Sequence, residues 1–444
     1  MKSGRQDSLL NYQVQKGDNL YHIAKKYFAR TDICFFDDFI EEIKKINEIP
    51  EDNILLPDQI LKIPISSEVD SVFYQKIQHN ELRGIYLNTY QLTTERLKEI
   101  IENFDSLGLN ALVVDFKNTH GDILYPTKNS LAIEIGACKP VISYPNRLIY
   151  QLHKHNISLI ARITIFKDTT LANASSIWRV ERAPENKIDS ITADSSIVDS
   201  IKANKKIKWV NPNCIEVQNY NLDIIEEVIS LGVDEIQLDY IRFPTETYLL
   251  SADYGIPDSV SKQDVITNFV KKVYSITRKN GIKLSADIFG VVALQNEQDI
   301  INTGQDIKSI LPYLDRIHPM MYPSHFFGEF WNKKYPADEP YYFVYRTCKT
   351  LLTQIEQKKK IIPYLQAFTL ERALVSPLYI VSQLQAIKDC GLDSGYLLWN
   401  ASGNYDSTWK ALNLWNSKTN SQLSPKFPNR LGGYEYNKID KDDR

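Results

Sequence analysis

Three aspartates in apolar runs are the residues whose type and position most favour catalysis in this sequence. Asp239 lies in VDEIQLDYIRFP, residues 233–244, a run that predicts a buried strand ended by its proline. Asp115 in NALVVDFKN and Asp287 in KLSADIFGV hold similar places in two further runs. A carboxylic acid beside a carboxylate can act as general acid and as base or nucleophile. We predict that Asp239 is the nucleophile or base, Asp287 the general acid, and Asp115 a third carboxylate that positions substrate or raises a neighbour's pKa.

Asp239 also has a structural interpretation, in which it pairs with Arg242 or accepts hydrogen bonds from loop amides. The catalytic interpretation uses Arg242 and Arg162 differently. Their guanidinium groups would keep one carboxylate ionised while burial keeps another protonated. The spacing of the two acting carboxyl groups would then set the stereochemistry, since about 5 to 5.5 Å favours retention and roughly 6.5 to 9.5 Å favours inversion.

Eight apolar runs alternate with helical patterns between residues 83 and 416, as in repeated βα units. Glycines such as Gly108 and Gly232 end the helices that precede several of the runs. Eight alternations predict an α/β fold, a (β/α)8 TIM barrel. A doubly wound open sheet is the alternative, and it is less favoured because no G-x-G-x-x-G or P-loop follows any run. The runs begin at Gly84, Asn110, Ile157, Val233, Lys283, Leu314, Lys360 and Gly395.

The strand ends of such a barrel converge on one face, so polar and aromatic groups near them are candidate substrate contacts. The rings of Trp399 and Trp209 would stack on sugars, and the amides of Gln366 and Asn400 would bond hydroxyl groups. Three carboxylates without a metal-ligand cluster favour glycoside hydrolysis over a metal-dependent deacetylase, and a Ser-His-Asp hydrolase would need a G-x-S-x-G elbow. The predicted substrate-binding residues are Lys117, Arg162, Trp209, Asn211, Arg242, His318, Tyr322, Gln366, Trp399 and Asn400.

A separate unit is predicted at residues 12–64, where YQVQKGDNLYHIAKKYF precedes FIEEIKKINEIPEDNILLPDQILKIP. Val14 is predicted to begin a strand, Asp18 to cap a helix, and residues 60–64 to form an edge strand. The segment resembles a LysM module, which implies binding of N-acetylglucosamine-containing glycans or, alternatively, a docking role. Compared with that family, the connection at residues 29–38 is long and Asp58 replaces glycine. The resemblance implies glycan contacts at Gly17, Asp18, Asn19, Leu20, Tyr21, Ile49 and Asn53.

The barrel region also resembles a known family through FKDTTLA, WVNPN, DEIQLDYIRFP, SADIFG, PMMYPSHF, YLQAF and GYLLWNASGNY. It is similar to predicted bacterial and archaeal glycoside hydrolases, which implies a TIM-barrel hydrolase. Asp239 and Asp287 are similar in strand position to the catalytic acids of α-amylase-like barrels. MMY at residues 320–322 and LLW at residues 397–399 are similar to motifs on the sixth and eighth strands of chitinase-like barrels. However, Ile241 stands where the glutamate of their D-x-D-x-E motif would fall.

Charge, cysteine content and apolar stretches limit which partners, cofactors and locations the sequence can be expected to have. A net charge of -3 and a pI near 6.2 give no electrostatic case for nucleic acid. The five cysteines form no C-x-x-C pair, so neither a disulfide framework nor a metal site is expected, and no cofactor is needed. No apolar stretch predicts a signal segment or a membrane span. Residues 65–82 are predicted to be a linker and 417–444 a disordered tail.

The sequence therefore predicts a cell-envelope glycoside hydrolase anchored by its LysM module to peptidoglycan or a related aminosugar glycan. Two other functions remain open. The barrel could be a non-catalytic wall-binding scaffold, since fold does not decide function. Alternatively, it could hydrolyse a soluble α-glucan and use LysM for location alone.

Overall fold

The computed structural model describes residues 8–50, 52–66, 76–180, 207–370 and 372–420. In these residues the chain forms a closed eight-stranded parallel barrel and a small module with a two-stranded antiparallel sheet. The predicted TIM barrel is therefore confirmed. Of the predicted linker at residues 65–82, residues 67–75 lie outside the described residues, as do residues 181–206 and, of the predicted tail at 417–444, residues 421–444.

Each barrel strand corresponds to one of the apolar runs of the sequence. Neighbouring strands pair in parallel around the barrel, and the last strand closes on the first. Gly395 lies at this closure with φ +111°, and a Cβ there would meet the carbonyl oxygen of Leu82 at 1.9 Å. The strands are β3 (Leu82–Leu87), β4 (Ala111–Lys117), β5 (Ser158–Thr164), β6 (Glu235–Asp239), β7 (Lys283–Ile288), β8 (Arg316–Met321), β9 (Tyr364–Gln366) and β10 (Gly395–Trp399).

Helices surround this barrel and bury their apolar faces against the outside of the strands. Thr93 caps the first of them by accepting the N–H of Arg96, and Gly108 ends it with φ +71°. The helices of this region are α3 (Thr94–Leu107), α4 (Ser130–Glu134), α5 (Pro145–Lys154), α6 (Thr169–Ala174), α7 (Ile215–Ser230), α8 (Lys262–Lys279), α9 (Glu297–Thr303), α10 (Ile307–Ile310), α11 (Pro340–Gln354), α12 (Pro377–Asp389) and α13 (Asp406–Asn420).

The end of α13 differs from the predicted domain boundary. The sequence predicts that the barrel domain ends at residue 416, but the helix continues to Asn420. No helix in the described residues is both long and apolar enough to cross a membrane.

The N-terminal module contains β1 (Ser8–Gln13), α1 (Leu20–Tyr27), α2 (Phe36–Asn47) and β2 (Ile60–Ile65), with β1 antiparallel to β2. Two local predictions were wrong. Val14 follows β1 rather than beginning a strand, because its N–H bonds Gln59 in the turn. The cap of α1 is Asn19, whose side chain accepts the N–H of His22. Asp18 instead accepts from Tyr12 and Gln15, which fixes the preceding turn.

The long connection between α1 and α2 packs on the barrel. Arg147 of α5 is 1% exposed and donates to the carbonyl oxygens of Ile33 at 3.0 Å and Phe28 at 2.7 Å. Its guanidinium also lies 3.7 Å from the ring centroid of Tyr144. The extra residues that distinguish this module from its family therefore form its contact with the barrel.

Candidate active site

Arg162 of β5 lies at the centre of the candidate site and contacts all three predicted catalytic aspartates. One guanidinium N–H donates to Asp115 Oδ1, and two others donate to Asp239 Oδ2, the Nε contact being 3.0 Å. Its Nε is also 3.8 Å from Asp287 Oδ2. The strand registers bring Asp115 beside Arg162 and place Asp239 on the next strand. The predicted acids thus meet inside the C-terminal end of the barrel.

Asp287 differs from its neighbours because its carboxyl group lacks a donor. The residue is 1% exposed, and neither carboxyl oxygen has a hydrogen-bond partner among the described residues. Burial, followed by the charge of Asp239, raises the pKa of Asp287 well above its ordinary value. These surroundings favour a protonated carboxylic acid, as a general acid requires.

Asp239 has the opposite environment. Besides the two bonds from Arg162, its Oδ1 accepts the backbone N–H of Tyr240 at 2.6 Å. Tyr240 has a φ of +51°, so the chain turns sharply after the strand and brings this N–H to the carboxylate. Three donors aimed at one carboxylate stabilise its negative charge.

Asp115 has both carboxyl oxygens engaged. Tyr86 donates its hydroxyl to Oδ2 at 2.6 Å, and Arg162 occupies Oδ1. Burial raises the pKa of Asp115, while Arg162 and Tyr86 act in the opposite direction. The arrangement makes Asp115 a group that orients Arg162.

Aromatic rings form the wall around these charges. Trp399 stacks on Tyr86 with ring centroids 3.7 Å apart, and the Arg162 guanidinium lies 5.0 Å from the Trp399 centroid. Tyr322 has a buried hydroxyl without a partner among the described residues. Its pKa is raised well above the ordinary value by burial and then by the charges of Asp287 and Asp239. Trp399 and Tyr322 therefore lie beside the aspartates and Arg162.

Lys117 is not at the site. The pairing of β4 with β5 shifts between Asp115 and Lys117, so Lys117 pairs with Ile163 and leaves the barrel interior. Its ammonium is fully buried and contacts Asp168 at 2.7 Å and Asn221 at 3.1 Å. The prediction that Lys117 contacts substrate was wrong. Strict alternation along β4 would point its side chain into the barrel, but the bulge turns it to the outside.

His318 was also predicted to contact substrate from a strand end, and the structure places it elsewhere. It lies within β8 rather than at its end, with Nδ1 2.9 Å from the Ile362 carbonyl oxygen and Nε2 3.6 Å from Glu235. Glu235 pairs with Arg316 at the opposite end of the barrel, and that pairing lowers the pKa of Glu235 to about 2 against the effect of burial. His318 therefore belongs to the barrel filling and lies below the aspartates.

Three predicted amide contacts are structural. Gln366 accepts the N–H of Ser324 and donates to the Phe368 carbonyl oxygen. Asn400 donates to the carbonyl oxygens of Ala367 and Asn404 and accepts from Ser402. Asn211 donates to the Tyr254 carbonyl oxygen and accepts the N–H of Asn213. These side chains shape the loops and have little capacity left for sugar hydroxyls.

Trp209 borders the site, but its ring does not face an open cleft. It is 1% exposed, its indole N–H donates to Glu246 at 2.8 Å, and its ring packs edge-on against Tyr240 at 5.7 Å. The Arg242 guanidinium lies 4.8 Å from the Trp209 centroid and donates to the Phe243 carbonyl oxygen. Both side chains are buried beside Tyr240, at 1% and 6% exposed, rather than open to a ligand.

The sequence prediction missed several site residues. Tyr86 lies two positions before the end of its apolar run and was not assigned, although a period of two would have pointed it inward. Tyr240 was treated as part of the strand. Lys167 and Glu246 lie in loops after β5 and β6, and neither was assigned a role, although Lys167 belongs to FKDTTLA. Nothing in the sequence shows that residues of these two loops come close to the aspartates in the folded chain.

The predicted glycan contacts of the N-terminal module divide into two groups. Gly17, Asn19, Tyr21 and Asn53 are exposed, and Tyr21 keeps 53% of its surface in solvent. Leu20 is buried in the module's core, so it can offer only backbone atoms. Ile49 is half-buried against the same core, and Asp18 is held in the turn.

The fold and the site together define a class. A TIM barrel with a buried carboxyl group of raised pKa, an arginine-bound carboxyl group and aromatic walls at the C-terminal strand ends has the groups that glycoside hydrolases use. A sequence match identifies the family. Residues 84–405 match the family described as "Putative glycosyl hydrolase domain", and residues 12–64 match the LysM domain. The chain belongs to this glycosyl hydrolase family, and both predicted resemblances are confirmed.

The chain also resembles solved structures, at low sequence identity. A hypothetical protein from Ruminiclostridium thermocellum ATCC 27405 is 26% identical over 46% of this chain and 96% of its own, with a TM-score of 0.36. The spore cortex-lytic enzyme SleL of Bacillus megaterium QM B1551 is 13% identical, covering 91% and 85%, with a TM-score of 0.43. The alpha-L-fucosidase isoenzyme 2 of Paenibacillus thiaminolyticus is 13% identical, covering 77% and 50%, with a TM-score of 0.49. No curated protein matches the chain.

Proposed function

We propose that this glycoside hydrolase cleaves a cell-wall glycan that contains 2-acetamido sugars, and that its LysM module holds it on the polymer. The observation that carries the proposal is the contrast between two neighbouring carboxyl groups. Asp287 is buried without a donor, whereas Asp239 accepts three hydrogen bonds. One site thus holds a carboxyl group with a raised pKa beside a carboxyl group that accepts three hydrogen bonds.

The reaction follows from these protonation states. Asp287 gives its proton to the glycosidic oxygen as the bond to the leaving sugar breaks. Asp239 either attacks the anomeric carbon or removes a proton from the attacking water. The Arg162 guanidinium stays charged because the aspartates around it raise its pKa despite burial. It holds Asp239 in place and balances the charge that remains when Asp287 loses its proton.

The substrate class is inferred from the LysM module. The family binds glycans, and the described loops of this module keep Tyr21, Asn19 and Asn53 exposed. Ile54 and Leu56 are also exposed, at 63% and 66%, which adds an apolar surface next to Asn53. Such a surface suits the methyl and ring faces of an N-acetylated sugar. A wall glycan in turn places the protein in the cell envelope.

The experiment incubates wild type and Asp239→Asn with purified peptidoglycan sacculi. New reducing ends and soluble fragments are measured, and bound protein is measured by sedimentation. We expect fragments with wild type alone and sedimentation with both proteins. Sedimentation of both without new reducing ends would contradict the proposal and favour a wall-binding scaffold.

A further inference from the structure

Two charged side chains beside Asp239 have no ionic partner among the described residues. Glu246 uses Oε1 to accept the indole N–H of Trp209 at 2.8 Å, while its Oε2 is buried and has no hydrogen-bond partner. Lys167 is half-buried, and its Nζ lies 3.4 Å from the hydroxyl of Tyr240 and 4.5 Å from that ring's centroid. Lys167 and Glu246 are therefore one donor and one acceptor that remain available for a ligand.

Their position links both groups to the reaction centre. Lys167 contacts Tyr240 directly, and Glu246 reaches it through Trp209, whose ring packs against Tyr240 at 5.7 Å. The N–H of Tyr240 in turn holds Asp239. A ligand group bound by Lys167 and Glu246 would thus lie next to the sugar that Asp239 attacks.

Leaving these groups unpaired has a cost. Burial lowers the pKa of Lys167, and the charge of Glu246 is the largest effect that opposes it. A partly desolvated cation and a buried carboxylate oxygen are unfavourable without hydrogen bonds. Sites that bind polar ligands leave such groups open because the ligand supplies the missing bonds.

We propose that Lys167 and Glu246 form a subsite for the acetamido group of an N-acetylated sugar. Lys167 donates to the acetamido carbonyl oxygen, and Glu246 Oε2 accepts from the acetamido N–H. The Tyr240 ring lies under Lys167 and beside Trp209, so it borders this subsite. This subsite deepens the proposed function and rests on it, because it names the substituent that the catalytic site selects.

The pairing also predicts which sugars are rejected. A free amine is an ammonium ion at neutral pH, so it can donate to Glu246 but cannot accept from Lys167, whose charge repels it. A hydroxyl group at the same carbon would reach one of the two side chains and leave the other unpaired. A site built to bond a polar group discriminates strongly against analogues that leave its own groups unsatisfied.

The test measures kcat/KM on one soluble glycan before and after chemical de-N-acetylation. Wild type is expected to prefer the N-acetylated form. Lys167→Met removes the donor and keeps the side-chain stem, so it should lower kcat/KM on the N-acetylated form by about 10- to 100-fold. On the de-N-acetylated form it should stay within roughly threefold of wild type or improve, because the repulsion is gone.

Two further variants complete the test. Lys410→Met changes an exposed lysine on α13 and should leave both rates unchanged. Glu246→Gln keeps the volume beside Trp209 and should show a selective loss on the N-acetylated form; circular dichroism checks that it folds. Hydrolysis without preference, or equal losses by Lys167→Met on both forms, would overturn the subsite alone. No hydrolysis of any glycan by wild type would overturn the proposed function and the subsite together.

Discussion

At the residue scale, one arginine separates the roles of three chemically identical side chains. Arg162 donates to Asp115 and Asp239 but only approaches Asp287, at 3.8 Å. Each aspartate would carry a similar proton affinity in water, but burial and the charge of Asp239 raise the pKa of Asp287, and no hydrogen-bond donor among the described residues offsets them. The protein thereby obtains an acid and a carboxylate without using two residue types.

Asp287→Asn is expected to abolish hydrolysis and to raise the melting temperature at pH 7. The pKa of Asp287 is raised in the folded state, so ionisation in the unfolded state favours unfolding once the pH exceeds about 4. Asparagine removes this penalty, and the expected gain is roughly 1 kcal/mol. Thermal unfolding should show the difference at pH 7 and lose it as the pH falls below the ordinary aspartate range.

Asp115→Asn serves as the control for that prediction. Burial raises the pKa of Asp115 as well, but Asp115→Asn also removes an acceptor from Arg162 and Tyr86, so its melting temperature should rise less than that of Asp287→Asn or fall. A gain for Asp115→Asn as large as that for Asp287→Asn would show that these two donors do not distinguish the aspartates.

The pH dependence of catalysis follows from the same group. A general acid must be protonated, so kcat/KM is lost only as the pH rises through the raised pKa of Asp287. We expect activity to persist well above pH 4, where an ordinary aspartic acid is ionised. A pH profile measured at low substrate concentration tests this, and a decline that begins near pH 4 would assign the acid role to another group.

At the element scale, strand ends and the turns that follow them determine which side chains reach the site. Tyr240 adopts a left-handed conformation directly after β6 and thereby supplies an N–H to Asp239. The bulge in β4 has the reverse effect, since it removes Lys117 from the interior. A change in backbone geometry at a single residue can therefore decide which groups reach the site.

Asp58 offers a test of backbone strain in the LysM module. Its φ is +66°, a conformation that glycine adopts freely and that other residues adopt at a cost. Asp58→Gly is expected to stabilise the module by up to about 1 kcal/mol despite the loss of the 2.9 Å bond from Gln13. Asp58→Val, which is β-branched, should destabilise it, and chemical denaturation of both variants measures the two effects. Equal stability of the glycine and valine variants would contradict the strain.

The sequence predicted the elements better than the contacts. Apolar runs and helix-ending glycines such as Gly108 are local signals, so the eight strands were found correctly. Asp115, Arg162 and Asp239 were found because each lies near a strand end. Gln366 was misassigned because nothing in the sequence shows that its amide bonds Ser324 and Phe368. Glu246 was missed because loop residues meet the site only through tertiary packing.

At the scale of the whole molecule, the LysM module and the barrel share a buried contact. Arg147 donates to two carbonyl oxygens of the module, and Gln151 donates to a third, that of Asp32. Lys154 adds an ion pair with Asp32 at 3.3 Å near the surface. These contacts fix the module against α5 of the barrel.

Arg147→Met is expected to uncouple the two units. It leaves two half-buried carbonyl oxygens without this donor, a loss of up to about 1 to 3 kcal/mol for each. Calorimetry should show one unfolding transition for wild type and two for the variant. Lys154→Met is the matched control, because a surface ion pair contributes less than about 1 kcal/mol. A single transition in Arg147→Met would show that this contact does not join the units.

The most direct test of the account compares Asp239→Asn and Asp287→Asn on two substrates with the same sugars. One is the natural glycan, whose leaving group needs a proton; the other is a dinitrophenyl glycoside, whose leaving group does not. We predict that Asp287→Asn loses about 10²- to 10⁴-fold on the glycan but little on the glycoside, while Asp239→Asn loses activity on both. Equal losses by Asp287→Asn on the two substrates would contradict its assignment as the general acid.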